Sequence, residues 1–204
     1  MIMKNYCVRC ATLFLLCFCN TILVAQETKK IGELIPIAGN YEYALVKDKK
    51  ANKAKSGTLV ANSWERRDFN ELTVLGKTDE WIKLNNSRVT LQPGVYRLEA
   101  NIGAYRTHHT RIRLIEIDAA GNVIEANAHY GMSVHNHPDG YASVRPLLLV
   151  YLNLSKETTY EIHHIVRTTN GGTEARGLNS SSQNGNDLGD ETYAQIEIIK
   201  FSTP

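Results

Sequence analysis

The chain has 204 residues, of which 43% are hydrophobic and 22% charged, with 23 Lys and Arg set against 21 Asp and Glu for a formal net charge of +2. That near-neutral balance offers no basic footprint for nucleic acid. The length suits one domain with a core of its own.

Lys4 and Arg9 precede an apolar run over residues 11–24, and Ala25-Gln26 follow it. This is the order of a secretory signal peptide, with cleavage expected after Ala25. The run is roughly 14 residues long and holds Asn20 and Thr21, whereas a spanning helix needs about 20 apolar residues, so no membrane span is expected. A lipid anchor would want a small residue before the modified cysteine, but Cys17 and Cys19 follow Leu16 and Phe18. Cleavage would remove all four cysteines (Cys7, Cys10, Cys17 and Cys19) together with Lys4 and Arg9. The mature chain would then be neutral, free of disulfides, and dependent on core and oligomer contacts.

Beyond residue 40 no segment sustains an apolar period of 3.6, and short alternating segments dominate. The first predicted strand covers residues 41–47. The lysine-rich stretch 47–55 that follows reads as a solvated loop. Further strands are predicted over 81–84 and 88–91. Gln92-Pro93-Gly94 has the residues of a type II turn, and in the strand after it Tyr96, Leu98, Ala100 and Ile102 face one way while Arg97, Glu99 and Asn101 face the other. Residues 111–117 and 123–128 form a hairpin through Asp118-Ala119-Ala120-Gly121-Asn122. A second hairpin is predicted from strands 144–154 and 159–167 through Ser155-Lys156-Glu157-Thr158. Residues 168–192, rich in Gly, Ser, Thr and Asn, read as a mobile or functional loop, and a last strand spans 193–201. Short antiparallel strands in this number indicate an all-β, two-sheet sandwich or barrel.

Several stretches, in this order, carry a family resemblance. They are Tyr41-Glu42-Tyr43-Ala44-Leu45-Val46-Lys47-Asp48, Ser56-Gly57-Thr58, Trp64-x-x-Arg67-x-x-Asn70, Leu91-x-Pro93-Gly94-x-Tyr96-x-Leu98-x-Ala100, Tyr160-Glu161-Ile162-His163-His164 and Glu191-Thr192-Tyr193-Ala194-Gln195-Ile196-Glu197-Ile198. Together they resemble the tumour-necrosis-factor and complement-head-like jelly-roll modules of phage tail-fibre tips and bacterial surface proteins. The resemblance implies an antiparallel two-sheet jelly roll that trimerises, serves as an adhesive or receptor-binding knob, and has no catalytic residues. Ile102-Gly103-Ala104-Tyr105 departs from the family's Ala-Pro step, the register of His108-His109 is ambiguous by one place, and no collagen-like or coiled-coil stalk is present. The expected organisation is a signal peptide over 1–25, a lead-in over 26–40 and the jelly roll over 41–204.

Candidate site residues fall into three groups. Trp64, Arg67 and Asn70 read as a structural corner, with Trp64 filling the end of the sandwich and Arg67 and Asn70 satisfying backbone carbonyls; a polar ligand site on an aromatic platform is the alternative. On the strand around Tyr160, Tyr160, Ile162, His164 and Val166 share one face and Glu161, His163, Ile165 and Arg167 the other. His164 is therefore expected in the core and His163 toward solvent or a partner. Leu147, Leu149 and Tyr151 form a second apolar face on their strand, the expected subunit interface.

Neighbours on a strand point to opposite faces, so the pairs His108-His109 and His163-His164 are not expected to share an ion. His135-Asn136-His137 has the right spacing, but Pro138-Asp139-Gly140-Tyr141 follows it where a cupin has a Glu. The reading assigns no metal and no cofactor. Asn184-Gly185-Asn186-Asp187 through Asp190-Glu191 is oxygen-rich without EF-hand spacing. With no mature cysteine, no Gly-x-Ser-x-Gly and no His-Glu-x-x-His, the chain reads as a non-enzyme. The expected partners are further copies of itself in a homotrimer and a cell-surface glycan or protein. Glycan binding through Tyr105, Tyr130 or Tyr141 is the alternative to simple adhesion, and a carbohydrate-active carboxylate pair is the third reading.

Overall fold

The computed structural model describes residues 41–76, 78–135, 143–178 and 189–201. The predicted signal segment and lead-in, His137 with residues 138–141, and most of the oxygen-rich 184–191 stretch lie outside the described residues.

In chain order the strands are β1 (Tyr41–Lys50), β2 (Glu65–Arg66), β3 (Glu71–Leu75), β4 (Ile82–Asn85), β5 (Arg88–Leu91), β6 (Gly94–Ile102), β7 (Ala104–Tyr105), β8 (His109–Ile117), β9 (Val123–Tyr130), β10 (Val134–His135), β11 (Ser143–Val144), β12 (Leu147–Leu154), β13 (Thr158–Val166) and β14 (Glu191–Phe201). One sheet runs β12-β6-β14-β1-β3; the other runs β10-β8-β13-β5-β4, with β9 on β8 and β2 on β13. Every ladder between these strands is antiparallel.

The pairing has one underlying order. β1 pairs with β14, β5 with β13, β6 with β12 and β8 with β9, as if a single long hairpin with its tip at residues 118–122 had been formed first. Wrapping that hairpin then brings β14 against β6 and β13 against β8. This is an antiparallel jelly roll, in which closing the ribbon on itself protects strand edges.

That wrapping overturns three expectations. β12 and β13 do not form a hairpin, because β12 pairs with β6 in one sheet and β13 with β8 and β5 in the other. The link between them, despite its turn-like composition, crosses between sheets. Pro93-Gly94 likewise makes a crossing, and Gly94 has φ +154° rather than the roughly +80° of a type II turn. The predicted strand 144–154 is interrupted at Arg145-Pro146, where proline offers no N–H, so Val144 pairs with Ala104 and a separate strand begins at Leu147. The tip hairpin does form, with the Asp118 N–H donating to the Asn122 carbonyl at 2.9 Å. A tight hairpin joins β4 to β5, with Asn86 and Ser87 both at positive φ.

Alternation along each strand supplies the core. Ala44 and Val46, then Tyr96, Leu98, Ala100 and Ile102, then Leu148, Val150 and Leu152, with Ile196 and Ile198, face Ile112, Leu114, Tyr160 and Ile162 across the sandwich. Trp81 stacks on Tyr96 at 6.0 Å. The lysine-rich stretch is not all loop: β1 continues to Lys50, Asp48 is buried, and Lys47 and Lys49 pair with Glu71 at 3.2 and 3.3 Å. The described part of the 168–192 segment is anchored rather than loose. Thr169 bridges Thr107, Gly57 donates to the Thr173 carbonyl at 2.9 Å, and Ala175 packs with Leu59 and Val166 in a second small core.

Candidate functional site

After a turn at Asn62, φ +61°, whose N–H donates to the Val166 carbonyl at 2.7 Å, residues 64–67 run extended beside β13, and Arg67 donates to the Ile162 carbonyl at 2.8 Å. Period two then puts Trp64 and Arg66 on the outside and Arg67 inside. Trp64, Arg67 and Asn70 therefore do not converge on one site.

Arg67 is fully buried; its Nη2 donates to the Arg176 and Tyr193 carbonyls at 3.2 and 3.4 Å and lies 3.5 Å from Asp48 Oδ2. Burial pulls its pKa down to about 10, with Asp48 opposing the shift. Asn70 serves a different part of the backbone. The β1–β14 register slips between Asp48 and Lys49, and at that slip the Asn70 side-chain amide donates to the Lys49 carbonyl at 2.6 Å and accepts from its N–H at 2.9 Å. Trp64 does not fill the end of the sandwich. It lies partly exposed on the outer face of the β8–β13 sheet, with the Arg113 guanidinium 4.4 Å from its ring centre and Tyr130 at 5.9 Å.

His164 does point inward: it is fully buried and its Nε2 lies 2.5 Å from Thr110 Oγ1. Desolvation, aided by the positive charges of Arg67 and Arg176, holds its pKa well below the ordinary histidine value, which keeps the ring neutral. His163 departs from expectation. It is on the outer face as predicted but only 7% exposed, because Glu161, Arg113 and the flanking Arg66 enclose it. Its Nε2 is 2.7 Å from Glu161 Oε2, and Arg113 in turn holds Glu125 through two bonds of 2.7 and 3.0 Å. Burial would raise the Glu161 carboxyl, but bonds from His163, Arg88 and Arg66 outweigh it and hold the group below its usual value.

Next to this network the outer face opens into a cleft of about 290 Å³, lined by Trp64, His109, Arg111, Ser133 and Arg167 among others. Of the aromatics named for glycan stacking, Tyr130 is exposed at its rim with Arg111 4.8 Å from the ring centre, Tyr105 is buried at 6% exposure, and Tyr141 lies outside the described residues.

A cluster that strand periodicity had ruled out adjoins the cleft. His108, His109 and His135 each present a ring nitrogen, and the three nitrogens lie within 4.8 Å of one another. His109 and His135 are direct cross-strand partners. His108 precedes β8, and alternation does not apply to it. Arg106, at φ +53°, turns the chain just before it. The sequence pointed to His135, through its His-x-His spacing, and to the His108-His109 pair, which alternation set aside; nothing in it marked Arg113, Glu125 or the approach of His108 to His135.

On the other side of the molecule, β12 buries Leu148, Val150 and Leu152 and leaves Leu149 51% and Tyr151 64% exposed, with Leu147 half-buried.

No family model matches the chain, and no curated protein matches it. Among solved structures it is similar to the globular domain of zebrafish complement 1qA protein, at 13% identity and a TM-score of 0.43, over 81% of this chain and 99% of that one. It is also similar to murine APRIL at pH 5.0, at 8% identity and a TM-score of 0.46, over 79% of this chain and 99% of that one. The jelly-roll architecture rests on the strand order above. No helix among the described residues is long and apolar enough to cross a membrane.

Proposed function

We propose that this chain is an exported, non-catalytic surface-interaction module that works as a homotrimer, with Leu147, Leu149 and Tyr151 at the subunit contact. The observation carrying this reading is the outer face of the five-stranded sheet. In cross-strand register it presents Tyr151, Arg97, Ile199, Tyr43 and Leu75 in one row and Leu149, Glu99, Glu197, Leu45 and Thr73 in the next. Exposed apolar groups thus stand at both edges, Leu149 and Tyr151 on β12 and Leu75 on β3. A ring of rotated copies joins unlike patches, one edge of each protomer against a different part of the next. Burying such side chains is worth roughly 1.5–3 kcal/mol each.

The resemblance to terminal knobs of tail fibres and surface proteins supports adhesion as the role, and the apolar run over 11–24 supports export. A second reading, glycan binding, is favoured by the Trp64–Tyr130 pair beside the cleft. Sedimentation equilibrium of the exported protein tests the first reading: the mass of three chains is expected, and a monomer at micromolar concentration would overturn it. Binding on a glycan array without release of reducing ends would favour the second.

A further inference from the structure

We propose that His108, His109 and His135 form a binding site for one divalent transition-metal ion of the zinc class, held by three imidazole nitrogens with a further coordination position left to water or an external ligand. The arrangement is built by the backbone. β10 pairs with the start of β8 so that His135 stands directly across from His109. The turn at Arg106 and the bridge from Thr107 to Thr169 then deliver His108 to the same side, with its N–H donating to the Thr168 carbonyl at 3.3 Å.

The rings converge by their edges instead of stacking. Their centres are 4.4, 4.5 and 4.7 Å apart with planes inclined by 89°, 76° and 57°. The Nε2 atoms of His108 and His135 are 3.0 Å apart. Tetrahedral Zn–N bonds of about 2.0–2.1 Å place ligand nitrogens about 3.3–3.4 Å from each other, so small side-chain rotations bring this set to bonding geometry. Three imidazoles without a thiolate or carboxylate suit zinc, copper(II), nickel or cobalt and not calcium or magnesium. Three protein ligands also leave the site open, as in zinc sites that take up a substrate or water. His109 lines the cleft that holds Trp64, Arg111 and Arg167, so a metal here would stand beside an aromatic and cationic surface suited to an anionic ligand group.

The test uses the full chain, exported and purified without a histidine tag, stripped with chelator and titrated with Zn²⁺ by calorimetry and with Co²⁺ by absorption spectroscopy. One Zn²⁺ per chain with micromolar or tighter affinity is expected, together with the intense visible bands of four-coordinate cobalt. His135→Ala and His109→Asn are each expected to weaken binding at least tenfold. His129→Ala, on β9 and outside the cluster, should bind as the wild type does. The exposed position of His135 makes its variant foldable, and circular dichroism and the metal-free melting curve verify that. Absence of Zn²⁺ uptake by the wild type, or unchanged affinity in both His135→Ala and His109→Asn, would overturn the proposal.

Discussion

The Arg67 guanidinium and the Asp48 carboxylate meet at 3.5 Å with both side chains shut away from water. They tie the segment after Trp64 to β1, and the same guanidinium reaches the Arg176 and Tyr193 carbonyls. Removing Arg67 leaves the buried Asp48 carboxylate to the partly exposed Lys50 ammonium, 3.1 Å away, and takes the donor from both of those carbonyls. Arg67→Ala should therefore destabilise the protein by about 3–5 kcal/mol, whereas Arg67→Met combined with Asp48→Leu should recover much of that loss. Urea denaturation of the three proteins at pH 7 checks it, and equal losses in the single and double variants would contradict the pairing.

His164 provides a pH signature. Its folded pKa lies well below the unfolded value, so below about pH 6.5 the unfolded chain takes up a proton that the folded chain refuses. Its contribution to stability is complete above that pH and is lost as pH falls toward the folded pKa, by at most about 1.4 kcal/mol per pH unit. Urea midpoints measured between pH 7.5 and 5 should fall for the wild type and fall less for His164→Gln. Parallel slopes would contradict the assignment.

Gly131 holds one side of the barrel closed. It donates to the Ile112 carbonyl at 2.9 Å, and Met132 after it donates to the Leu147 carbonyl at 2.8 Å, joining the two sheets. A Cβ at position 131 would stand 2.5 Å from that same Leu147 oxygen and 3.1 Å from Ile112 Cγ1. Gly131→Ala should cost about 1–3 kcal/mol in denaturant unfolding, the range for forced overpacking.

The proposed subunit contact is tested by Leu147→Asp with Leu149→Asp. Neither side chain belongs to the buried cluster. The strand signal in circular dichroism should persist while light scattering falls from the mass of three chains to that of one. A double variant that stays trimeric would remove β12 from the interface.

Period two made much of the fold legible: the faces of β6, the inward His164 and the 118–122 hairpin all follow from alternation and turn residues. The same alternation separates Trp64 from Arg67, which stand three apart on extended chain, but grouping them with Asn70 as one corner passed over it. The pairing of β12 and β13 was not legible, because four turn-like residues look alike whether the next strand stays in the sheet or crosses. That choice is made by partners as distant as β6 and β5. A buried arginine leaves no apolar mark in the sequence, so nothing placed Arg67 in the interior. The histidine cluster was hidden for a related reason: alternation was applied to His108, which precedes the strand and follows a positive-φ turn.

Tyr41 and Phe201 are cross-strand neighbours, so the jelly roll begins and ends at one pole. Following β8 from Ile117, near the Leu91–Thr158 crossing, back to His109 leads to the other pole. Whatever precedes Tyr41 and whatever follows Phe201 thus leave from a single point of tether. A load drawn through that point would unzip β1 from β14 one rung at a time, while the cleft and its histidines stand at the opposite pole.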